Sequence, residues 1–245
     1  MKKLTISILL AALLATTGCM QMEMKTELAK DGSGTYTFNM SMSTEVEEAL
    51  KELSGMEGGM GDDMDMPDFA DFDKGDFEKK LGKHDVKLKS FANEVKDGVR
   101  TVNMTIAYKN FQGLQAAMAL ASGGGDEGIG IEKMDDGNYL LHSVENPFAK
   151  KEEAPEEKAA EPSMEDMQAA MANAGKSMEL MGKLMAHSSE LSMEMSITLP
   201  SDVIEHNAPT LEGRTCKWLI NSENMMAMEG MEPRIVFSGK GVDIK

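Results

Sequence analysis

Hydrophobic and polar residues alternate one by one along several short stretches of this chain. The alternation is clearest at Met20–Leu28, Gly34–Ser43 and Leu191–Leu199. A period of two places successive side chains on opposite faces of a β-strand, so these stretches predict half-buried strands. Asp-Gly pairs, which favour tight turns, separate neighbouring strand-like stretches. The pattern therefore predicts β-hairpins within residues 20–43, 84–110 and 129–144.

Between the predicted hairpins, apolar residues recur at helical spacing. Thr44 and Glu47 form a capping-box pair, and an apolar stripe follows them as far as Gly55. Single helices between strand pairs are typical of an α+β fold. We expect a mainly antiparallel sheet built from hairpins, with helices packed on one face. Further helices are predicted at residues 76–81, 111–121 and 163–187.

The first 18 residues have the layout of a secretory export signal. Lys2 and Lys3 precede the uncharged stretch Leu4–Ala15, and small residues then lead to Cys19. This stretch is too short to cross the ~30 Å hydrocarbon core of a bilayer as a helix. We therefore expect residues 1–18 to be a signal peptide that is removed.

The end of this signal resembles the lipobox of bacterial lipoproteins, although Thr16 stands where that motif usually has Leu. The resemblance implies cleavage before Cys19, acylation with chains such as palmitate, and stable anchoring to a membrane. An ordinary cleavage nearby, with Cys19 left as a free thiol, is the alternative. Met20 rather than Asp follows the Cys. By resemblance to enterobacterial sorting, this favours the periplasmic face of the outer membrane.

Two polar segments divide the rest of the chain. Residues 54–76 are rich in Gly, Asp and Met without periodicity, which predicts a mobile acidic loop. Residues 149–162 predict a charged, exposed linker. We expect residues 19–148 to form the hairpin and helix part of a domain. Residues 163–245 would supply a long methionine-rich helix and the C-terminal strands that complete the same domain.

Composition argues against several functional classes. The 245-residue precursor has a formal net charge of −17, which disfavours nucleic-acid binding. With Cys19 acylated, Cys216 has no disulfide partner, and its place in an alternating strand indicates a buried structural thiol. The four His lack metal-ligand spacing, and no catalytic serine, phosphate-loop or dinucleotide motif occurs. We therefore expect a non-enzymatic protein without a cofactor.

Methionine is unusually frequent, with 25 residues. A stripe on the predicted long helix either packs on the sheet or forms an adaptable surface for an apolar ligand or partner protein. Its candidate ligand-binding residues are Met171, Met178, Met181 and Met185. Alternatively, methionines of the acidic loop bind Cu(I), since thioethers suit that ion. The candidate ligands are Met56, Met60, Met64 and Met66.

The C-terminal third carries a family resemblance. Leu199-Pro200, Asn207-Ala208 and the Gly213–Trp218 segment resemble the LppM-like bacterial lipoproteins, in which a strand turns at Pro and Asn and returns through a Trp-bearing strand. The resemblance implies an α+β envelope domain with a lipid- or glycolipid-binding role, and brings no catalytic residues. We expect a membrane-anchored, non-enzymatic envelope lipoprotein that binds a lipid, another apolar ligand or an envelope protein. Periplasmic Cu(I) binding and a purely structural role are the alternatives.

Overall fold

The computed structural model describes residues 20–54, 74–82, 84, 86–121, 127–145, 175–180, 182–183, 191–224 and 232–244. The predicted signal peptide, Cys19, the charged linker and most of the predicted acidic loop lie outside these residues. Among the described residues, no helix is both long and apolar enough to cross a membrane.

Strands and helices follow the order that the hydrophobic pattern predicts, except for the short strand at Thr210–Glu212, where the sequence predicts a turn. The strands are β1 (Met20–Leu28), β2 (Gly34–Ser43), β3 (Val86–Lys96), β4 (Val99–Tyr108), β5 (Glu127–Lys133), β6 (Tyr139–Glu145), β7 (Leu191–Thr198), β8 (Val203–His206), β9 (Thr210–Glu212), β10 (Thr215–Asn221) and β11 (Arg234–Phe237). The helices are α1 (Thr44–Ser54), α2 (Lys74–Leu81) and α3 (Phe111–Ala121). Residues 175–180 and 182–183 are also helical.

The predicted hairpins are confirmed, because β1 pairs antiparallel with β2, β3 with β4, and β5 with β6. The turn between β3 and β4 shows how the sequence specifies one of them. Asp97 has φ 52° and Gly98 has φ 76°. Two successive positive φ values are what a type I′ turn requires, and Asp-Gly adopts them at low cost.

The larger sheet has seven strands in the order β3-β4-β2-β1-β7-β10-β9. Strand β1 lies at its centre, antiparallel to β2 and parallel to β7. The smaller sheet has four strands in the order β5-β6-β11-β8. The other strand pairs of the described residues are antiparallel. The predicted α+β class with a mainly antiparallel sheet is therefore confirmed.

The core lies on one face of the larger sheet, where the apolar halves of the alternating strands meet the helices. Met40, Met42 and Met104 are at most 2% exposed. They belong to one buried cluster with Val46 of α1 and Leu114 of α3. Strand methionines two residues apart therefore share the core face, as the alternation predicts. Their flexible side chains fill space beneath the helices.

Helix α1 is capped differently from the prediction. The Ser43 hydroxyl accepts a hydrogen bond from the Val46 backbone N–H at 3.2 Å, while the Thr44 hydroxyl donates to the Gly98 carbonyl at 3.2 Å. Glu47 points to the sheet, where Arg100 Nε lies 2.7 and 2.8 Å from its two carboxylate oxygens. The predicted Thr44–Glu47 capping box is wrong because the guanidinium of β4 binds the carboxylate.

Candidate functional site

Most of the site residues predicted from the sequence lie outside the described residues. These are Cys19, the loop methionines Met56, Met60, Met64 and Met66, and the helix methionines Met171, Met181 and Met185. Met178 is described, and its side chain is 78% exposed. The interpretation that the methionine stripe packs on the sheet is therefore wrong for Met178. The ligand-binding interpretation of Met178 stays a prediction.

The helical segment around Met178 contacts α1. Leu180 is 3% exposed and forms a small buried cluster with Ala49 and Leu53 of α1. An ion pair joins Lys176 to Glu52 of the same helix. Leucine rather than methionine therefore makes the described apolar contact of this segment, which leaves Met178 facing solvent.

The face of the larger sheet opposite the core is polar, and the strand register arranges its side chains in rows. One row crosses β4, β2, β1 and β7 through Asn103, Asn39, Glu23 and Glu194. The next row crosses the same strands through Thr101, Ser41, Gln21 and Ser192. Amides, hydroxyls and carboxylates from four strands thus lie side by side.

These two rows line an open concavity of about 400 Å³, together with Met22 and Met40. A volume of this size is near the lower end of the range found for small-molecule sites. The typical small-molecule site is lined mainly by apolar and aromatic side chains. This concavity is lined mainly by polar ones, so its shape and chemistry suit a small polar group.

Glu23 lines the concavity, and its carboxylate already has hydrogen-bond and ion-pair partners among its neighbours. Asn39 Nδ2 donates to its Oε2 at 2.8 Å, and Lys25 Nζ lies 2.6 Å from its Oε1. Burial acts to raise the pKa of Glu23, but the hydrogen bonds from Lys25 and Asn39 outweigh it and leave that pKa below its usual value. Glu23 is therefore a carboxylate at neutral pH with its charge balanced locally.

Glu194 lies directly beside Glu23 in the register and is half-buried. Within the described part of the chain, its carboxylate has no hydrogen bond or ion pair. The cation that acts on it from β10 is Lys217, whose ammonium lies 2.6 Å from a carboxylate oxygen of Glu212. Glu194 is thus the carboxylate of the concavity that remains open to a ligand.

No described histidine is among the residues that line the concavity. His142 Nδ1 lies 2.9 Å from the Ser143 carbonyl oxygen, and its Nε2 lies 3.4 Å from Glu132 Oε1 on the smaller sheet. His206 Nδ1 lies 3.1 Å from the Ala208 carbonyl oxygen. Across the described ranges, no three His, Cys, Asp or Glu side chains come together as metal ligands.

Cys216 is a structural thiol, as its place in an alternating strand predicts. It is fully buried, and burial raises the pKa of its thiol to about 11. A thiol with a raised pKa and no exposure is a poor nucleophile.

Side chains from the segment that carries the family resemblance form hydrogen bonds to backbone atoms of neighbouring loops and strands. Arg214 Nη1 donates to the Pro200 carbonyl at 2.8 Å. Asn207 Nδ2 donates to the Glu232 carbonyl at 2.6 Å, and Asn207 Oδ1 accepts from the Arg234 N–H at 2.9 Å. The motif therefore fixes how the chain passes between the two sheets.

Comparison with known proteins gives one structural likeness. No protein-family model matches this chain. No curated protein matches it. The fold is similar to the NMR structure of the folded domain of the Mycobacterium tuberculosis LppM protein, with a TM-score of 0.43 and 9% identity over 89% of this chain and 88% of that one. The sequence resemblance named the same group of proteins.

Sequence reasoning did not single out the residues of the concavity, although a signal for them existed. Gln21, Glu23, Asn39 and Ser41 are the polar halves of the alternation that predicts β1 and β2. The alternation shows that a polar face exists, but only the parallel pairing of β1 with β7 brings Glu194 beside Glu23.

Proposed function

We propose that this chain is a lipid-anchored, non-enzymatic binding protein of the bacterial cell envelope, held on the periplasmic face of the outer membrane. In this proposal, acylated Cys19 keeps the polar concavity at the bilayer surface, where it binds a polar group. The export signal and the resemblance to the lipobox support the anchor. Met20 after the Cys supports the choice of membrane.

One observation carries the proposal: the strand that begins next to Cys19 also lines the concavity. Strand β1 starts at Met20, and Gln21 and Glu23 are lining residues. A strand rises about 3.3 Å per residue, so Gln21 lies at most ~7 Å and Glu23 at most ~13 Å from the anchor along the chain. A headgroup layer is roughly 5–8 Å thick on each side of the hydrocarbon core. An acylated Cys19 therefore keeps the concavity within reach of lipid headgroups.

Strand β1 is fixed within the sheet, which keeps the distance between Cys19 and the concavity short. Its residues pair along their length with β2 on one side and with β7 on the other. A strand hydrogen-bonded on both sides does not peel away from the sheet without breaking two ladders. The chain therefore has no flexible tether between Met20 and the domain that would let the concavity leave the membrane.

The proposed ligand is polar because the described concavity is polar and the apolar face of the sheet is covered by helices. Binding of an apolar ligand or a partner protein through the methionine-rich helix remains a separate prediction. A formal net charge of −17 opposes anionic ligands at long range, which favours neutral or cationic groups.

Labelling cells with radioactive palmitate, followed by membrane fractionation, tests the anchor. We expect the label on the mature chain in the outer-membrane fraction, and its loss in a Cys19→Ala variant. Cys216→Ala is the matched control, because that thiol is buried, and it should keep the label. Label on Cys19→Ala, or none on the wild type, would contradict the proposal.

A longer tether tests whether the concavity works at the membrane surface. An insertion of about six Gly and Ser residues after a duplicated Met20 keeps the residue that follows Cys19 and adds roughly 13 Å of reach. In nanodiscs that contain a paramagnetic headgroup lipid, we expect strong broadening of the Gln21 and Asn39 side-chain amide signals. The insertion should weaken this broadening, whereas equal broadening in both proteins would count against a fixed position.

A further inference from the structure

We propose that the concavity binds a primary ammonium group through the carboxylate of Glu194. This inference rests on the proposed function and names its ligand chemistry. Two sources can present such a group near the start of β1, next to the proposed anchor. They are the ethanolamine headgroup of a bilayer lipid and a free amine in the periplasm.

The charges of the lining residues point to a cation. Glu23 and Glu194 are the charged side chains among the residues that line the concavity. Lys25 and Asn39 satisfy Glu23, whereas Glu194 has no hydrogen bond or ion pair within the described part of the chain. A half-buried carboxylate without a partner is the group that gains most from a bound cation.

The register adds a second reason. Glu23 and Glu194 are direct neighbours on β1 and β7. Like charges directly opposite one another on neighbouring strands destabilise a sheet. Lys25 offsets one of the two charges, and a ligand ammonium beside Glu194 would offset the other.

The remaining lining groups suit an ammonium rather than a metal ion. An ammonium has three N–H donors and needs three acceptors. Glu194 supplies one, and oxygens of the flanking side chains Ser192 and Gln21 stand in the adjacent row. Ca²⁺ takes about six to eight oxygen ligands, usually including several carboxylates, and the described residues contain no group of three acidic, His or Cys side chains.

Lys217 is the side chain that could compete for Glu194. Its ammonium contacts Glu212 at 2.6 Å and also feels the charge of Glu194. Lys217 therefore has a partner of its own at the edge of the sheet. In addition, it is not among the residues that line the concavity.

Headgroup titrations of the acylated full-length protein in nanodiscs test the inference. One series replaces phosphatidylcholine with phosphatidylethanolamine, a second replaces it with phosphatidylglycerol, and a third adds free ethanolamine to phosphatidylcholine discs. NMR of the Gln21, Asn39 and Asn103 side-chain amides reports on binding. Saturable shifts with phosphatidylethanolamine identify a lipid source, and shifts with free ethanolamine identify a free amine. Shifts only with phosphatidylglycerol, or no shifts at all, would overturn the inference.

A matched pair of variants assigns the binding to Glu194. Glu194→Gln keeps the size of the side chain and removes its charge, and we expect half-saturation at a concentration about tenfold higher or more. Glu48→Gln changes an exposed glutamate of α1 and should leave the titration unchanged. Equal affinity in all three proteins would overturn the assignment. If Glu194→Gln does not fold, the headgroup preference of the wild type still tests whether the concavity binds an ammonium group. Palmitate labelling tests the anchor separately.

Discussion

The Tyr108 hydroxyl donates a hydrogen bond to the Glu27 carbonyl oxygen at 2.7 Å, across the position of Gly34. Gly34 lies between them on β2, paired with Leu28 on one side and Tyr108 on the other. A Cβ atom at Gly34 would lie 2.7 Å from Tyr108 Cζ and closer still to the Glu27 carbonyl oxygen. The absence of a side chain thus allows a tyrosine to tie together the ends of three adjacent strands.

Gly34→Ala is expected to destabilise the protein by about 2–3 kcal/mol, because the added methyl group overlaps both the ring and a backbone oxygen. Chemical denaturation measures this difference. Gly175→Ala is the matched control, since Gly175 is helical and a Cβ there meets nothing within 4 Å. The control should be neutral, or more stable by up to about 1 kcal/mol. Equal effects of the two substitutions would contradict the close approach at Gly34.

Arg100 of β4 links α1 to the sheet through Glu47. Its Nε lies 2.7 and 2.8 Å from the two carboxylate oxygens, and its Nη1 donates to Asn93 Oδ1 at 3.0 Å. The two charged side chains are 16% and 14% exposed. Arg100→Met should cost about 1–3 kcal/mol, because it leaves a largely buried carboxylate without its cation. A double-mutant cycle with Glu47→Gln measures the coupling.

The exposed ion pair of α2 is the control for this cycle. Lys74 and Glu78 are 4.0 Å apart, with side chains 61% and 52% exposed. Their coupling should be about 0.5 kcal/mol or less, and it should fall with added salt. A coupling between Arg100 and Glu47 no larger than this would show that burial does not strengthen the pair.

Cys216 predicts a loss of stability at alkaline pH. Burial raises the thiol pKa from 9.0 to about 11. Below pH 9 both the folded and the unfolded chain hold a neutral thiol, so the thiol makes its full contribution to the free energy of unfolding. Between about pH 9 and 11 the unfolded thiol ionises first, which favours unfolding. Stability should therefore fall across this window.

Comparison with Cys216→Ala isolates the thiol from the buried tyrosines. The pKa values of Tyr36 and Tyr108 are also raised by burial, and both residues are present in both proteins. Urea midpoints at pH 8 and pH 11 should therefore drop further for the wild type than for the variant. In a Cys19→Ser background, the remaining thiol should also resist a thiol reagent until the chain unfolds. An equal fall of the urea midpoint in the two proteins would mean that burial does not protect the thiol from ionisation.

Trp218 is the single tryptophan of the chain and is 2% exposed. Its indole Nε1 is buried without a hydrogen-bond partner in the described structure. A buried donor without a partner costs about 1–3 kcal/mol. Trp218→Phe removes this donor and keeps most of the apolar volume, so we expect a net loss below about 2 kcal/mol. Trp218→Ala should cost about 3–5 kcal/mol.

Thermal unfolding followed by circular dichroism checks the two tryptophan variants, since neither keeps an indole. In the wild type, indole fluorescence should shift to longer wavelength on unfolding. Equal destabilisation by Phe and by Ala would indicate that the indole N–H has a partner, such as an ordered water.

Local pattern was sufficient for the hairpins and for the α+β class. The alternation of Tyr36, Phe38 and Met40 with polar neighbours specified both the strand and its buried face. The local pattern did not predict interactions between residues that are distant in sequence. Glu47 formed a predicted capping box on sequence spacing alone, yet its carboxylate binds Arg100, which lies 53 positions further along the chain. Spacing within one helix gives no information about a cation on another element.

The sequence by itself determined which residues form most of the strands, which of their faces is polar and where the Cys that resembles a lipid anchor stands. These features follow from interactions between residues close together in sequence, because side-chain periodicity and turn preferences act over a few residues. Only the tertiary structure decided that β7 lies parallel to β1 and so places Glu194 beside Glu23. Parallel neighbours are joined by a long crossover rather than a tight turn, and no local pattern encodes which two strands will meet. The candidate site belongs to that second kind of information.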